Sequence, residues 1–160
     1  MKQITIGMFG FGNVGHGLYD VLDKIQSKNV RIKTICIKHP EKDRGVEANF
    51  TSNPDDIFND PEINLIAELI DNAEEAYTIV KRALTQNIPV VSGNKKMLAQ
   101  HLGELIELQK QTNTALLYDA SACGSIPVIR NLEEYYDNDL LVSVKGILNG
   151  SSNFILSKIF

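Results

Sequence analysis

Residues 10–15 read GFGNVG and directly follow the apolar run QITIGMF at residues 3–9. An apolar run of this length predicts a buried strand. The apolar residues that follow recur at the spacing of one helix face, and they are Val14, Leu18, Val21, Leu22 and Ile25. Glycines placed between a strand and a helix are the fingerprint of a dinucleotide-binding loop, in which they allow a tight turn, close approach to a pyrophosphate and close packing of helix on strand. The alternative is a turn without a ligand. The placement favours dinucleotide binding by Gly10, Gly12 and Gly15.

Strand-like and helix-like segments alternate along the rest of the chain. Apolar runs predict strands at 3–9, 32–37, 64–70, 88–92, 115–118 and 140–148. Between residues 49 and 63 the chain is rich in turn residues, and Asn53 with Pro54 predicts the start of a short helix. This alternation predicts an α/β, Rossmann-like, doubly wound fold with a mostly parallel sheet and helices on both faces. Ligands of such sheets bind beyond the carboxyl ends of the strands.

Composition and charge exclude several classes of function. The chain has 160 residues, of which 43% are hydrophobic and 22% charged, and its net charge is −4. This balance offers no basic surface for nucleic acid, and no apolar run reaches the roughly 18 residues of a membrane span. The start of the chain lacks the features of a signal peptide, and Cys36 and Cys123 are not clustered, which argues against disulfides and zinc. We expect a cytoplasmic protein without nucleic-acid or membrane partners.

The end of the second predicted strand bears on the choice of cofactor. A dinucleotide fold that binds NAD usually carries an acidic residue about 20 positions after the glycines, where it binds the ribose 2′-hydroxyl. Here that place is taken by Lys38, with Arg44 a few residues further on. Cations suit the 2′-phosphate of NADP, so the sequence favours NADP over NAD. The alternative is a solvated loop whose charges bind nothing.

Three further strand ends carry polar or small residues. VVSGNKKMLA (90–99) places Asn94 and Lys95 at a helix start, where a lysine either meets a ligand or is exposed to water. YDASACGSIPVI (118–129) either offers main-chain carbonyls to a hard cation or is a tight helix entry. GILNGSSNFIL (146–156) places amides and hydroxyls where they bind an anion or serve as helix caps. Each stretch alone is ambiguous.

Together these stretches resemble the homoserine dehydrogenase family, over essentially the whole chain and in the family's order. The resemblance implies NAD(P)-dependent interconversion of L-homoserine and L-aspartate 4-semialdehyde, in threonine, methionine and isoleucine biosynthesis. It also implies a monovalent cation, sodium, bound by main-chain oxygens, and a homodimer for the full-length enzyme. Two departures are Asp119, where the family usually has glutamate, and Asp71–Asn72, where it usually has glycines.

The resemblance implies roles for individual residues. The expected cofactor-binding residues are Gly10, Phe11, Gly12, Asn13, Val14, Gly15, Lys38, Arg44, Ser92 and Lys95. The expected cation ligands are Asp119, Ala122, Gly124 and Ile126, and the residues expected near the substrate are Gly150 and Ser151.

Family members continue well past GILNGSSNFIL into a substrate and dimerisation domain, which supplies the catalytic lysine. We therefore expect an NAD(P)-binding domain at 1–137, the start of the second domain at 138–160, and no catalytic residue within the chain. Hydride transfer needs a general acid near the carbonyl oxygen, so the chain is expected to bind dinucleotide without turnover. The alternatives are another Rossmann oxidoreductase, such as dihydrodipicolinate reductase or a sugar dehydrogenase, and a non-catalytic NAD(P)-sensing module.

Overall fold

The computed structural model describes residues 3–26, 29–124, 126–146 and 149–159. By packing, the chain divides into two units, Met1–Leu117 and Tyr118–Phe160. The strands are β1 (Ile4–Phe9), β2 (Val30–Cys36), β3 (Phe50–Thr51), β4 (Leu65–Glu68), β5 (Val90–Ser92) and β6 (Leu116–Leu117). The helices of the first unit are α1 (Asn13–Ile25), α2 (Asp55–Phe58), α3 (Ala73–Thr85) and α4 (Lys95–Thr112). Those of the second unit are α5 (Asp119–Cys123), α6 (Val128–Tyr135) and α7 (Gly150–Ile159).

The first unit is a parallel sheet in the order β3-β2-β1-β4-β5-β6. Every neighbouring pair of these strands runs parallel. After β1 the chain builds outward through β2 and β3, and it then returns to place β4 on the other side of β1. The order therefore reverses between β1 and β4, which is where ligands bind in doubly wound sheets. The prediction of a Rossmann-like, mostly parallel sheet is confirmed.

Successive side chains of β1 point to opposite faces of the sheet, and both faces are buried. On one face Ile6 and Met8 belong to a core cluster against which Leu18 and Leu22 of α1 pack. On the other face the Phe9 ring lies 5.4 Å from the ring of Phe58 in α2. Gly7 shares this second face, where a Cβ would lie only 2.4 Å from a methyl carbon of Ile57. The sheet is thus covered on both sides, as the apolar run predicts.

The helices of this unit follow the sequence pattern closely, with one exception. In α3 the buried residues are those that recur at helical spacing, namely Ala73, Ala76, Val80, Ala83 and Leu84. In α1 the same reasoning holds for two of five residues: Leu18 and Leu22 pack against the core, whereas Val14, Val21 and Ile25 are exposed. Asn53 also acts as predicted: its side chain accepts a hydrogen bond of 3.1 Å from the Asp55 N–H at the start of α2.

Two strand predictions need correction. The short strand β3 falls in the stretch that its composition marks as turns; it adds only two residues to the sheet edge. The strand expected at 140–148 does not form over residues 140–146, while Ile147 and Leu148 lie outside the described residues. Apolar side chains there, such as Leu140 and Val142, are exposed. A strand is stabilised by pairing and packing rather than by composition alone, and residues 140–146 pair with no strand of the described chain.

Of the helices that the structure describes, none is both long and apolar enough to cross a membrane. The division of the chain into these two units by packing is no test of the expected domain boundary at residue 137, which stays a prediction.

Candidate functional site

The loop after β1 is fixed in a conformation that requires glycine at its first position. Gly10 has φ = +94°, a region that residues with a side chain rarely adopt. A Cβ there would lie 2.5 Å from the carbonyl oxygen of Leu69, which follows β4. The Gly10 N–H donates to the Cys36 carbonyl at 3.0 Å, and the Leu69 N–H donates to the Phe9 carbonyl at 2.8 Å. The turn is therefore held by the strands on both sides of β1.

The other two glycines have different surroundings. A Cβ at Gly15 would lie 2.8 Å from the Gly10 carbonyl oxygen, so this glycine allows α1 to pack closely on the loop. A Cβ at Gly12 would meet nothing within 4 Å. Gly12 precedes the first residue of α1, whose N–H groups have no partners within the helix. The open space at Gly12 thus lies where a helix start can receive an anionic ligand.

A cleft of about 940 Å³ opens at the carboxyl ends of β1, β2 and β4. It is large enough for a sizeable cofactor, since ligand pockets span about 300–1,000 Å³. Six of the residues that line it come from the end of β1 and the loop after it: Phe9, Gly10, Phe11, Gly12, Asn13 and Val14. The others are Cys36, Ile37, Lys38, Arg44, Ser52, Pro54, Leu69, Ile70, Asp71, Glu75, Thr78 and Ile79.

The glycine loop is anchored by the ring of Phe11. This ring is buried and lies 4.0 Å from the ring of His16 and 5.3 Å from that of Phe50. Asn13 and Val14, by contrast, are exposed in the first turn of α1. The buried ring holds the loop in place, while its two neighbours on the cleft remain accessible to a ligand.

Two cations line the end of the cleft nearest β2. The Lys38 ammonium lies 2.9 Å from Oε1 of Glu75, in α3. One guanidinium N–H group of Arg44 reaches the His39 carbonyl at 3.5 Å. Its Nε is shielded from water and has no hydrogen-bond partner among the described residues. A shielded, unpaired donor on the cleft is costly unless a ligand accepts from it, and it fits an anionic group such as a phosphate.

A buried polar network supports the carboxyl ends of β4 and β5. Ser92 Oγ donates to Oε2 of Glu68 at 2.6 Å, and the Ile70 N–H donates to Oε1 at 2.9 Å. Burial raises the pKa of the Glu68 carboxyl, and these two hydrogen bonds partly oppose the rise. The Asn94 side chain donates to the Ile70 carbonyl at 2.9 Å and accepts from the Met97 N–H at 2.9 Å. The Ser92 side chain therefore supports the sheet edge from inside, and Ser92 does not line the cleft described above.

Lys95 lies where the sequence predicts, at the first residue of α4, and its side chain is exposed. It does not line the cleft that contains the glycine loop. Asn94, immediately before it, is the helix cap. The cleft thus brings together seven of the ten predicted cofactor-binding residues. Of the other three, Gly15 packs against the glycine loop, Ser92 ends β5 and Lys95 begins α4.

The predicted cation ligands lie in the second unit. Asp119 and Ala122 are in α5, and Gly124 ends it with φ = +61°. The Ile126 carbonyl accepts from the Val128 N–H at 2.8 Å, and Oδ1 of Asp119 accepts from the Arg130 N–H at 3.3 Å. No group of three or more histidine, cysteine or acidic side chains suited to a metal occurs in the described part of the chain. A site made of main-chain carbonyls stays a prediction.

The residues expected near the substrate begin α7. Gly150 and Ser151 are exposed in its first turn. Asn149 caps the helix, because its Oδ1 accepts from the Ser152 N–H at 3.2 Å. Capping by Asn149 agrees with one of the two alternatives that the sequence leaves open for this stretch. The substrate role of Gly150 and Ser151 stays a prediction.

Several lining residues are missed by sequence reasoning. They are Ile70, which follows β4, and three residues of α3, Glu75, Thr78 and Ile79. Asp71, which the sequence marks as a departure from the family, also lines the cleft. The order of strands would predict these lining residues, because β4 is the neighbour of β1 and the strand order reverses between them, which places the end of β4 beside the glycine loop. A motif search cannot assign that neighbour, since the pairing of β1 with β4 is settled by the sheet rather than by local sequence.

Family models match most of the chain. Residues 10–119 match the model described as "Homoserine dehydrogenase, NAD binding domain", and residues 127–160 match the model described as "Homoserine dehydrogenase". Among curated proteins, the homoserine dehydrogenases of Helicobacter pylori and Bacillus subtilis are each 33% identical, over 99% of this chain. The chain spans 39% of the length of each of these relatives.

Solved structures of homoserine dehydrogenases are also similar to this chain. A homoserine dehydrogenase from Thiobacillus denitrificans superposes with a TM-score of 0.84 at 30% identity, covering 99% of this chain and 39% of that one. A mutant of a hyperthermophilic archaeal homoserine dehydrogenase, in complex with NADPH, superposes with a TM-score of 0.72 over 84% of this chain and 49% of that one. At 20% identity, the second likeness concerns the fold alone.

Proposed function

Because the chain belongs to the homoserine dehydrogenase family, we propose that its glycine-loop cleft binds NADP and serves the interconversion of L-homoserine and L-aspartate 4-semialdehyde. The observation that carries the proposal is the joining, in one cleft, of the glycine loop with Lys38 and Arg44. The nicotinamide cofactor supplies the hydride chemistry when bound. The residues of this chain bind and orient it.

Each part of the cleft suits one part of the dinucleotide. The open helix start at Gly12 offers N–H groups and a positive dipole end to the pyrophosphate. The unpaired Nε of Arg44 and the ammonium of Lys38 suit the 2′-phosphate, which carries negative charge at neutral pH. An acid at the end of β2, which would select NAD, is replaced by Lys38. These features together support NADP as the cofactor, with NAD as a weaker ligand.

The chain spans 39% of the length of the curated relatives named above, so we propose that it supplies the cofactor-binding part of the enzyme and is inactive alone. On the family resemblance we further propose that the carbonyls of Asp119, Ala122, Gly124 and Ile126 bind a monovalent cation. Gly150 and Ser151 would lie near the substrate, and Ser92 and Lys95 near the cofactor. We propose that the full-length enzyme is a cytoplasmic homodimer and that it serves threonine and methionine biosynthesis.

Parallel calorimetric titrations of the chain with NADPH and NADH test the cofactor. We expect NADPH to bind more tightly than NADH. Arg44→Gln should weaken the binding of NADPH about tenfold or more, as expected for a lost hydrogen bond to a charged group. Binding of NADH should change little, because NADH lacks the 2′-phosphate.

The matched control is Lys42→Gln. Lys42 is an exposed cation of the same loop, and it does not line the cleft. An equal loss in Lys42→Gln would show that the overall charge, and not the cleft, governs affinity. Binding of neither dinucleotide would contradict the proposed cofactor site.

A further inference from the structure

One acidic side chain lies directly on the basic end of the cleft. Oε1 of Glu75 is 2.9 Å from the Lys38 ammonium, and both residues line the cleft. Glu75 belongs to the first turn of α3, whereas Lys38 lies two residues after the end of β2. The two charges therefore come from separate elements and meet at the cleft. One of the two cations that suit a 2′-phosphate, Lys38, therefore has a counter-ion within the chain.

We propose that Glu75 is a specificity-determining residue that weakens the preference of this cleft for NADP over NAD. The inference rests on the proposed function, since it concerns the same cofactor site. A 2′-phosphate that reaches Lys38 must displace the Glu75 carboxylate or accept it as a like-charged neighbour. Both cost binding free energy, and neither applies to a cofactor whose ribose ends in a 2′-hydroxyl.

The other acidic side chains of this region have different contacts. Glu41 lies 3.3 Å from Nδ1 of His39, and Oδ1 of Asp43 accepts from the Gly45 N–H at 2.8 Å. Glu74 lies 3.4 Å from Nε2 of His101, which is in α4. Asp71 lines the cleft, and its side chain makes no ion pair with Lys38. Glu75 is thus the acid through which Lys38 is partly neutralised.

Glu75 also has an ordinary structural role, which the test must separate. An acid in the first turn of a helix interacts favourably with the helix dipole. Glu74 occupies the same turn and carries the same charge, but its side chain faces His101 and does not line the cleft. The Asn72 side chain accepts from the backbone N–H of both residues at 3.0 Å, so the cap is unaffected by either substitution. Glu74→Gln is therefore a matched control.

Calorimetric titration of Glu75→Gln, Glu74→Gln and the unmodified chain with NADPH and NADH tests the proposal. Glu75→Gln should bind NADPH about threefold to fivefold more tightly, the upper part of the range expected for an exposed charge pair. The NADH affinity of Glu75→Gln should stay within about twofold of that of the unmodified chain. In Glu74→Gln the affinities for NADPH and NADH should both stay within about twofold of those of the unmodified chain. In a Lys38→Gln background, the gain from Glu75→Gln should shrink, because the released cation is absent.

Three results would overturn the proposal while leaving the cofactor site intact. They are an unchanged NADPH affinity in Glu75→Gln, an equal gain for NADPH and NADH, and an equal gain in Glu74→Gln. If the unmodified chain binds neither dinucleotide, the proposed function fails and this inference fails with it. Urea unfolding of each variant shows whether an affinity change reflects a change in folding.

Discussion

Ser92 Oγ donates a hydrogen bond of 2.6 Å to Oε2 of Glu68, and both side chains are shielded from water. Glu68 ends β4 and Ser92 ends β5, so the bond joins the carboxyl ends of two neighbouring strands. The Gly93 N–H also donates to the Glu68 carbonyl at 3.0 Å. The loop after β4 contributes Ile70 and Asp71 to the cleft, and this network is what holds that loop at its start.

Ser92→Ala should lower the free energy of unfolding by about 1–3 kcal/mol, because it leaves a buried carboxyl oxygen without its donor. Urea denaturation measures this. Ser52→Ala, which removes the same atom from an exposed residue, should change the value by no more than about 0.5 kcal/mol. If the two variants lose the same stability, the buried hydrogen bond contributes nothing.

Glu68→Gln should change how stability depends on pH. Burial raises the pKa of Glu68 above its usual 4.5, so the folded chain holds this proton more tightly than the unfolded chain. The resulting stabilisation is complete below pH 4.5 and is lost as the pH rises through the raised pKa. Glutamine does not titrate and keeps a similar shape. The variant should therefore gain stability relative to the unmodified chain as the pH rises from 4.5 through that range.

Urea denaturation at a series of pH values checks this dependence. Glu107→Gln, at an exposed residue paired with Lys110, removes the same charge and serves as the control. A Glu68→Gln profile that runs parallel to that of the unmodified chain would show that the folded state does not raise this pKa.

The sequence predicts more of the fold than of the site. The glycine loop and the burial pattern of α3 follow from local spacing, since period and backbone preference are properties of neighbouring residues. The pairing of Lys38 with Glu75 does not follow, because it depends on α3 and the end of β2 meeting at one cleft. The exposure of Val14 and Val21 is missed for the same reason: an apolar face is buried only where another element covers it.

Gly10→Ala and Gly12→Ala should separate folding from binding. At Gly10 the positive φ and the 2.5 Å approach to the Leu69 oxygen make any side chain strained, so we expect a loss of more than about 2 kcal/mol of stability. At Gly12 a Cβ meets no protein atom within 4 Å. Gly12→Ala should therefore fold normally but lose most of its dinucleotide affinity. Urea denaturation and calorimetry measure the two effects.

Gly103→Ala serves as the reference for these substitutions. Gly103 lies inside α4, where a Cβ also meets nothing within 4 Å. Alanine there should add about 0.5–1 kcal/mol of stability through helix propensity and should leave binding unchanged. Normal dinucleotide affinity in Gly12→Ala would show that the backbone at Gly12 does not approach the ligand.

The Cys36 thiol should react slowly although it lines the cleft. Burial, with a smaller effect of the Asp56 charge, raises its pKa from 9.0 to about 11. A rise of two pKa units lowers the thiolate fraction at pH 8 about a hundredfold, and the thiolate is the reactive form. Alkylation by iodoacetamide, followed by mass spectrometry in a Cys123→Ser background, should be slower by about that factor in the folded chain than in denaturant. Between pH 8 and 10 the folded rate should keep rising about tenfold per pH unit, whereas the denatured rate should level off. A folded rate that levels off near pH 9 would contradict the raised pKa.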